Sequence, residues 1–171
     1  MITVQRRVSA KGIPAAGKLK RWALYALQHA PQHAHQPASP PAKIESDVLI
    51  CIVDQAESHA LNLQYRGKDK PTNVLSFPED VSSLPANLPA EMLAEIQQAL
   101  GLGTLVVCAE VMAEEARAQG KSLDAHWAHI VTHGVLHLLG FDHETEAEAE
   151  VMESLEATLL MAHGFSHPYG I

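Results

Sequence analysis

Five of the chain's 11 histidines stand between positions 126 and 143, and few folds can absorb such a cluster. On a helix at about 100° per residue, His126, His129, His133 and His137 fall within an arc of about 80°. Leu123, Trp127, Ile130, Val131, Val135 and Leu138 occupy the neighbouring arc. One stripe of this helix is therefore apolar and belongs against a core, while the adjoining stripe is imidazole. His133 and His137 are four apart and project from the same side, one turn from each other. Gly140 lets the chain leave the helix in a left-handed conformation and bend back, which brings His143 within reach of the same point. Such a helix has to bury one stripe and keep the other for the imidazoles.

The string H-G-V-L-H-L-L-G-F-D-H over 133–143 is H-x3-H-x2-G-x2-H, the ligand spacing of the metzincin metalloproteases. Three neutral imidazoles leave a tetrahedral Zn2+ with one open position, as in catalytic rather than closed structural sites. Any one of these histidines alone reads more simply as a half-buried helix residue. Three at this spacing, with the glycine in place, predict a metal site on His133, His137 and His143. His126 and His129 read as neighbours or surface residues, and Asp142 as a group that could orient an imidazole. Metzincins carry a general-base Glu where this chain has Gly134. Loss of a general base typically removes a factor of about 10²–10⁴, so peptide hydrolysis is disfavoured. A phosphodiester suits the residues better, because cations can hold the charge that its transition state spreads over several oxygens.

The cations for that role stand in the loop Tyr65-Arg66-Gly67-Lys68-Asp69-Lys70-Pro71. Arg66 offers a fixed fork of donors that stays charged and suits a bidentate phosphate contact. Lys68 and Lys70 are candidates for holding the substrate backbone, and a merely solvated loop is the competing reading. The net charge of −8 at first opposes nucleic acid, but it is unevenly spread. Residues 1–70 hold ten basic and five acidic groups, whereas residues 71–171 hold two basic and 15 acidic. The acidic 142–156 stretch reads as a solvated helix face. A protein of this overall sign binds RNA weakly unless shape or a partner also holds it.

With 171 residues, 47% apolar and 19% charged, the chain is expected to form one globular domain over 1–171. Cys51 and Cys108 each lie in an apolar run and read as buried thiols of a reducing compartment. No leader-like or membrane-spanning run is visible, so a cytoplasmic location is expected. Strands are predicted near 3–9, 47–53, 73–77 and 105–108. Helices are predicted near 18–30, 56–65, 91–100, 109–119, 122–139 and 145–163. Thr145 with Glu148 makes a capping box at the start of the last helix. Residues 31–43, with four prolines, read as a flexible connection, and its His33 and His35 as solvated. The expected architecture is α+β: a small mixed four-stranded sheet packed with helices, one of them a metzincin-like, histidine-rich metal helix.

The 133–143 string, together with Y-R-G-K-D-K-P-T-N-V-L-S-F-P over 65–78, resembles the YbeY family of bacterial endoribonucleases and rRNA maturation factors. The resemblance runs from about Asp47 to the C-terminus. It implies a zinc-dependent, single-strand-specific endoribonuclease acting in 16S rRNA 3′-end maturation and ribosome quality control. It further implies ligands at His133, His137 and His143, an important arginine at Arg66, one Zn2+ per chain, and small-subunit ribosomal proteins or assembly factors as partners. Many members carry Asp where this chain has Asn73, and Gly-Asp where it has Gly103-Thr104; the 31–43 connection is longer than usual. The competing reading is a non-catalytic ribosome-assembly factor that binds RNA around a structural metal, with a metallopeptidase further behind.

Overall fold

The run V-L-I-C-I-V can satisfy its backbone only as a central strand, and in the computed structural model it is one. The structure describes residues 1–30, 47–79, 85–99 and 101–170, so the 31–43 connection lies outside the described residues. The elements in order are β1 (Ile2–Arg6), α1 (Ala16–His29), β2 (Val48–Val53), α2 (Gln55–Arg66), β3 (Val74–Pro78), α3 (Ala90–Ala99), β4 (Gly103–Cys108), α4 (Ala109–Gln119), α5 (Leu123–Leu138) and α6 (Glu146–Ala162). The sheet order is β1-β2-β4-β3. The first three of these strands are mutually parallel, and β3 runs antiparallel to β4 as an edge. The mixed four-stranded sheet expected from the sequence is thus present.

The ends of the elements have local causes. Asp54 caps α2 by accepting the Glu57 N–H at 2.9 Å, and Ser122 caps α5 through the Ala125 N–H at 3.1 Å. The Thr145–Glu148 capping box starts α6. β1 stops at Arg6 rather than position 9 because its partner runs out: Arg6 pairs with Ile52, one residue before β2 ends. β4 begins earlier than expected, at Gly103, where φ is +152° and an added Cβ would lie 2.4 Å from the Phe77 carbonyl oxygen. Only glycine allows the β3 backbone to approach that closely.

Alternation along the strands sorts the sheet's two faces. Ile50, Ile52, Leu105 and Val107 join the main core with α1, α5 and α6. Cys51, Val53, Leu75 and Val106 form a smaller cluster on the other face, with Leu61 from α2 and Phe77 beside them. Fully burying each aliphatic side chain stabilises the fold by roughly 1.5–3 kcal/mol. Both cysteines are free and buried. No helix among the described residues is long and apolar enough to cross a membrane.

Candidate metal centre and basic loop

α5 lies so close to the sheet that it determines what its own residues can do. A Cβ on Gly134 would sit 2.8 Å from Leu105 Cδ2, inside the core. Ser76 on β3 donates its hydroxyl to the Gly134 carbonyl at 3.3 Å. Glycine at 134 is thus the residue that lets helix and sheet touch, and a carboxylate at that position would point into the core. The helix then turns its imidazole stripe to a cleft. Gly140, at φ 96°, reverses the chain after α5.

One nitrogen from each of His133, His137 and His143 can be chosen so that all lie within 4.8 Å of one another. His133 Nε2 and His137 Nε2 are 3.0 Å apart. Nitrogens bound to one tetrahedral Zn2+ at about 2.0–2.1 Å stand roughly 3.3 Å from each other, so the spacing suits such an ion. His133 and His137 are half-buried, and His143 is exposed. Burial, followed by the neighbouring His133 and His143, pushes the His137 imidazole down to about 4. The ring is therefore neutral at neutral pH and keeps a lone pair for a cation.

Glu156, on α6, was not singled out in the sequence, yet it is fully buried and accepts a hydrogen bond from His133 Nδ1. Its other oxygen accepts from His129 Nε2 at 2.9 Å and from the Tyr169 hydroxyl. Burial alone would raise the carboxyl, but the hydrogen bonds from His129, His133 and Tyr169 prevail and hold it at about 2. A carboxylate can only accept, so His133 Nδ1 carries the proton and Nε2 is left bare towards His137. No Lys or Arg pairs with this buried anion among the described residues. A cation on the triad would supply the opposite charge that a buried carboxylate needs. The donor set thus fits a metal ion. Beside it opens a cleft of about 170 Å³, lined by His133, His143, Met152, Glu156 and Tyr169 among others.

Readings of three individual residues change or narrow. Glu156 is no part of a solvated face: it shares α6's inner stripe with Met152, Leu159 and Leu160. An acid in the register of an apolar stripe was the signal that could have found it. Asp142 accepts the backbone N–H of His143 at 2.7 Å, so its hydrogen bond shapes the turn, and the carboxylate that orients a ring is Glu156. Of the two alternatives for His126, neighbour or surface residue, the first holds: it is buried and bonded to Glu115 at 2.7 Å. Asn73 donates to the same Glu115 at 3.2 Å, fastening the start of β3 to α4.

Arg66 ends α2, and Gly67 at φ 67° turns the chain into the loop that carries Lys68 and Lys70. All three cations are exposed. The loop is held by its backbone: Asn62 Nδ2 donates to the Lys70 carbonyl at 2.8 Å, and Ser58 Oγ to the Thr72 carbonyl at 2.9 Å. His59 engages Asp69 at 2.6 Å. Among the described residues no carboxylate pairs with Arg66, Lys68 or Lys70. Tyr65 packs edge-on against Phe77 with ring centroids 5.0 Å apart. Phe77 lies at the end of β3 where Leu138 of α5 approaches the other face. Tyr65 of α2 and Leu138 of α5 therefore reach the same end of the edge strand from opposite faces of the sheet.

Fold and site together define a class: small open mixed-sheet proteins with an imidazole cluster, on one helix and the turn after it, that could hold a metal ion. The chain is similar to the solution structure of TM1509 from Thermotoga maritima, with 22% identity, 98% of each chain covered and a TM-score of 0.54. The family model for endoribonuclease YbeY matches residues 8–167, and the chain belongs to that family.

Proposed function

We propose that the chain is a metal-dependent, single-strand-specific endoribonuclease acting, in the cytoplasm and as one domain over 1–171, in 16S rRNA 3′-end maturation and ribosome quality control. The observation that carries this reading is the convergence of three imidazole nitrogens within 4.8 Å, in a chain of an endoribonuclease family. His133, His137 and His143 would hold one Zn2+. When bound, such an ion supplies positive charge at the scissile phosphate and acidifies water. Arg66, charged at every working pH, donates N–H groups to the phosphate oxygens and offsets the charge that grows on them. Lys68 and Lys70 hold the flanking backbone as point charges, and the exposed loop lets them follow it. No carboxylate stands at Gly134 to serve as base, so the nucleophile is either water or the RNA's own 2′-OH. Small-subunit proteins or assembly factors supply the additional grip that a chain of net charge −8 needs on a polyanion.

The test is cleavage of single-stranded and structured rRNA fragments with and without chelator, followed by analysis of product ends. Chelator-sensitive cleavage of the single strand is expected. A cyclic 2′,3′-phosphate end identifies attack by the 2′-OH, and a 3′-hydroxyl end identifies attack by water. Purified, metal-loaded protein that binds these fragments and never cuts them would favour the non-catalytic assembly factor.

A further inference from the structure

Glu156 is the one acidic residue in the buried core among the described residues, and both of its oxygens are engaged. One partner, Tyr169, arrives from the far end of the chain. After α6 the backbone turns at Gly164 (φ 85°), and further along Tyr169 lines the cleft. Lys121 Nζ donates to the Pro168 carbonyl at 3.3 Å, latching the same turn to the connection between α4 and α5. Tyr169 also stands edge-on to His129, with ring centroids 5.5 Å apart.

We propose that Glu156, clamped by His129 and the Tyr169 hydroxyl, is the positioning residue of the metal centre, and that the C-terminal turn is a working part of it. The inference rests on reading the triad as a metal site. A carboxylate held by one donor can swing; one held by three cannot. It therefore fixes the plane and tautomer of His133, keeps Nε2 directed at His137, and makes the imidazole a stronger donor to a cation. Removing the Tyr169 hydroxyl frees one side of the carboxylate and loosens the ring two bonds away.

A network that merely held α5 against α6 would affect stability and leave metal affinity alone, so affinity is the quantity to measure. Full-length parent, Glu156→Gln, Tyr169→Phe and Asp54→Ala are titrated with Zn2+ against a chromophoric chelator. Co2+-loaded samples are compared by visible absorption, with circular dichroism as the check on folding. Asp54→Ala weakens α2 at its cap, on the other face of the sheet from the centre. The expected result is about 10–100-fold weaker Zn2+ binding for Glu156→Gln, a smaller loss for Tyr169→Phe, altered Co2+ bands in both, and parental affinity for Asp54→Ala. Folded Glu156→Gln and Tyr169→Phe proteins that bind Zn2+ as tightly as the parent overturn the inference and leave the metal site standing. Should Glu156→Gln fail to fold, parental affinity in Tyr169→Phe alone overturns it. A parent that binds no Zn2+ overturns the metal reading and this inference together.

Discussion

Two regions of opposite character flank the edge strand β3. On the α5 side, His126, His129 and His133 are each held by a buried or partly buried carboxylate. On the α2 side, Arg66, Lys68 and Lys70 extend from a loop whose backbone is fastened while their charged ends stay in water. Under the proposed function the asymmetry suits two kinds of ligand. A metal ion tolerates little error in donor position, so a donor such as His133 is best fixed during folding. A phosphodiester chain varies in course and is better met by charges that can adjust. The ordering cost is met during folding on one side and deferred to binding on the other.

The largest effect that would break this contrast lies on the fixed side. His137→Ala is expected to abolish stoichiometric metal loading and reduce RNA cleavage to background with the circular dichroism spectrum preserved. Metal analysis beside a cleavage assay checks it; full loading in the variant would mean that His137 is no ligand. Next comes Arg66→Ala, expected to slow cleavage by about 10²–10³, the usual cost of losing a donor to developing charge, with Zn2+ affinity unchanged. A variant that cleaves as fast as the parent removes Arg66 from the mechanism.

Gly134→Ala forces a methyl group against Leu105 and is expected to destabilise the fold by about 1–3 kcal/mol, measured by denaturant unfolding. Unchanged stability would show that the helix–sheet contact is slack rather than fixed. The smallest effect belongs to Lys68→Ala and Lys70→Ala. Each is expected to weaken RNA binding modestly and to lower the slope of log K against log salt by about 0.7, the single-strand value per phosphate contact. A full set of slopes identical to the parent's would assign these lysines to solvent.

Much of this was legible in the residues, for reasons that differ by element. β2 and α5 stood out because an apolar run and a two-stripe helical period are local patterns. The strand order was not legible, since placing β4 between β2 and β3 depends on pairings distant in sequence. The His133, His137 and His143 cluster could be read because its members are near neighbours in the chain. Glu156 could not be read in the same way. It lies 23 positions from His133, amid exposed acids such as Glu150 and Glu153 that share its type but not its face. Tyr169 offered still less: Gly164 marks the end of α6, but where the chain goes after it depends on contacts distant in sequence.

The contact between Gly134 and Leu105 limits what substitution could make of this scaffold. Installing a carboxylate at 134 does not convert the helix into a peptidase, because the new side chain meets Leu105 before it meets any cleft. An acid there would have to enter together with a smaller residue at 105, and each change alone costs stability: one by overpacking the core, the other by opening a cavity in it. Two chemistries built on one ligand spacing are thus separated by a valley in stability, and the helix's distance from the sheet sets its depth.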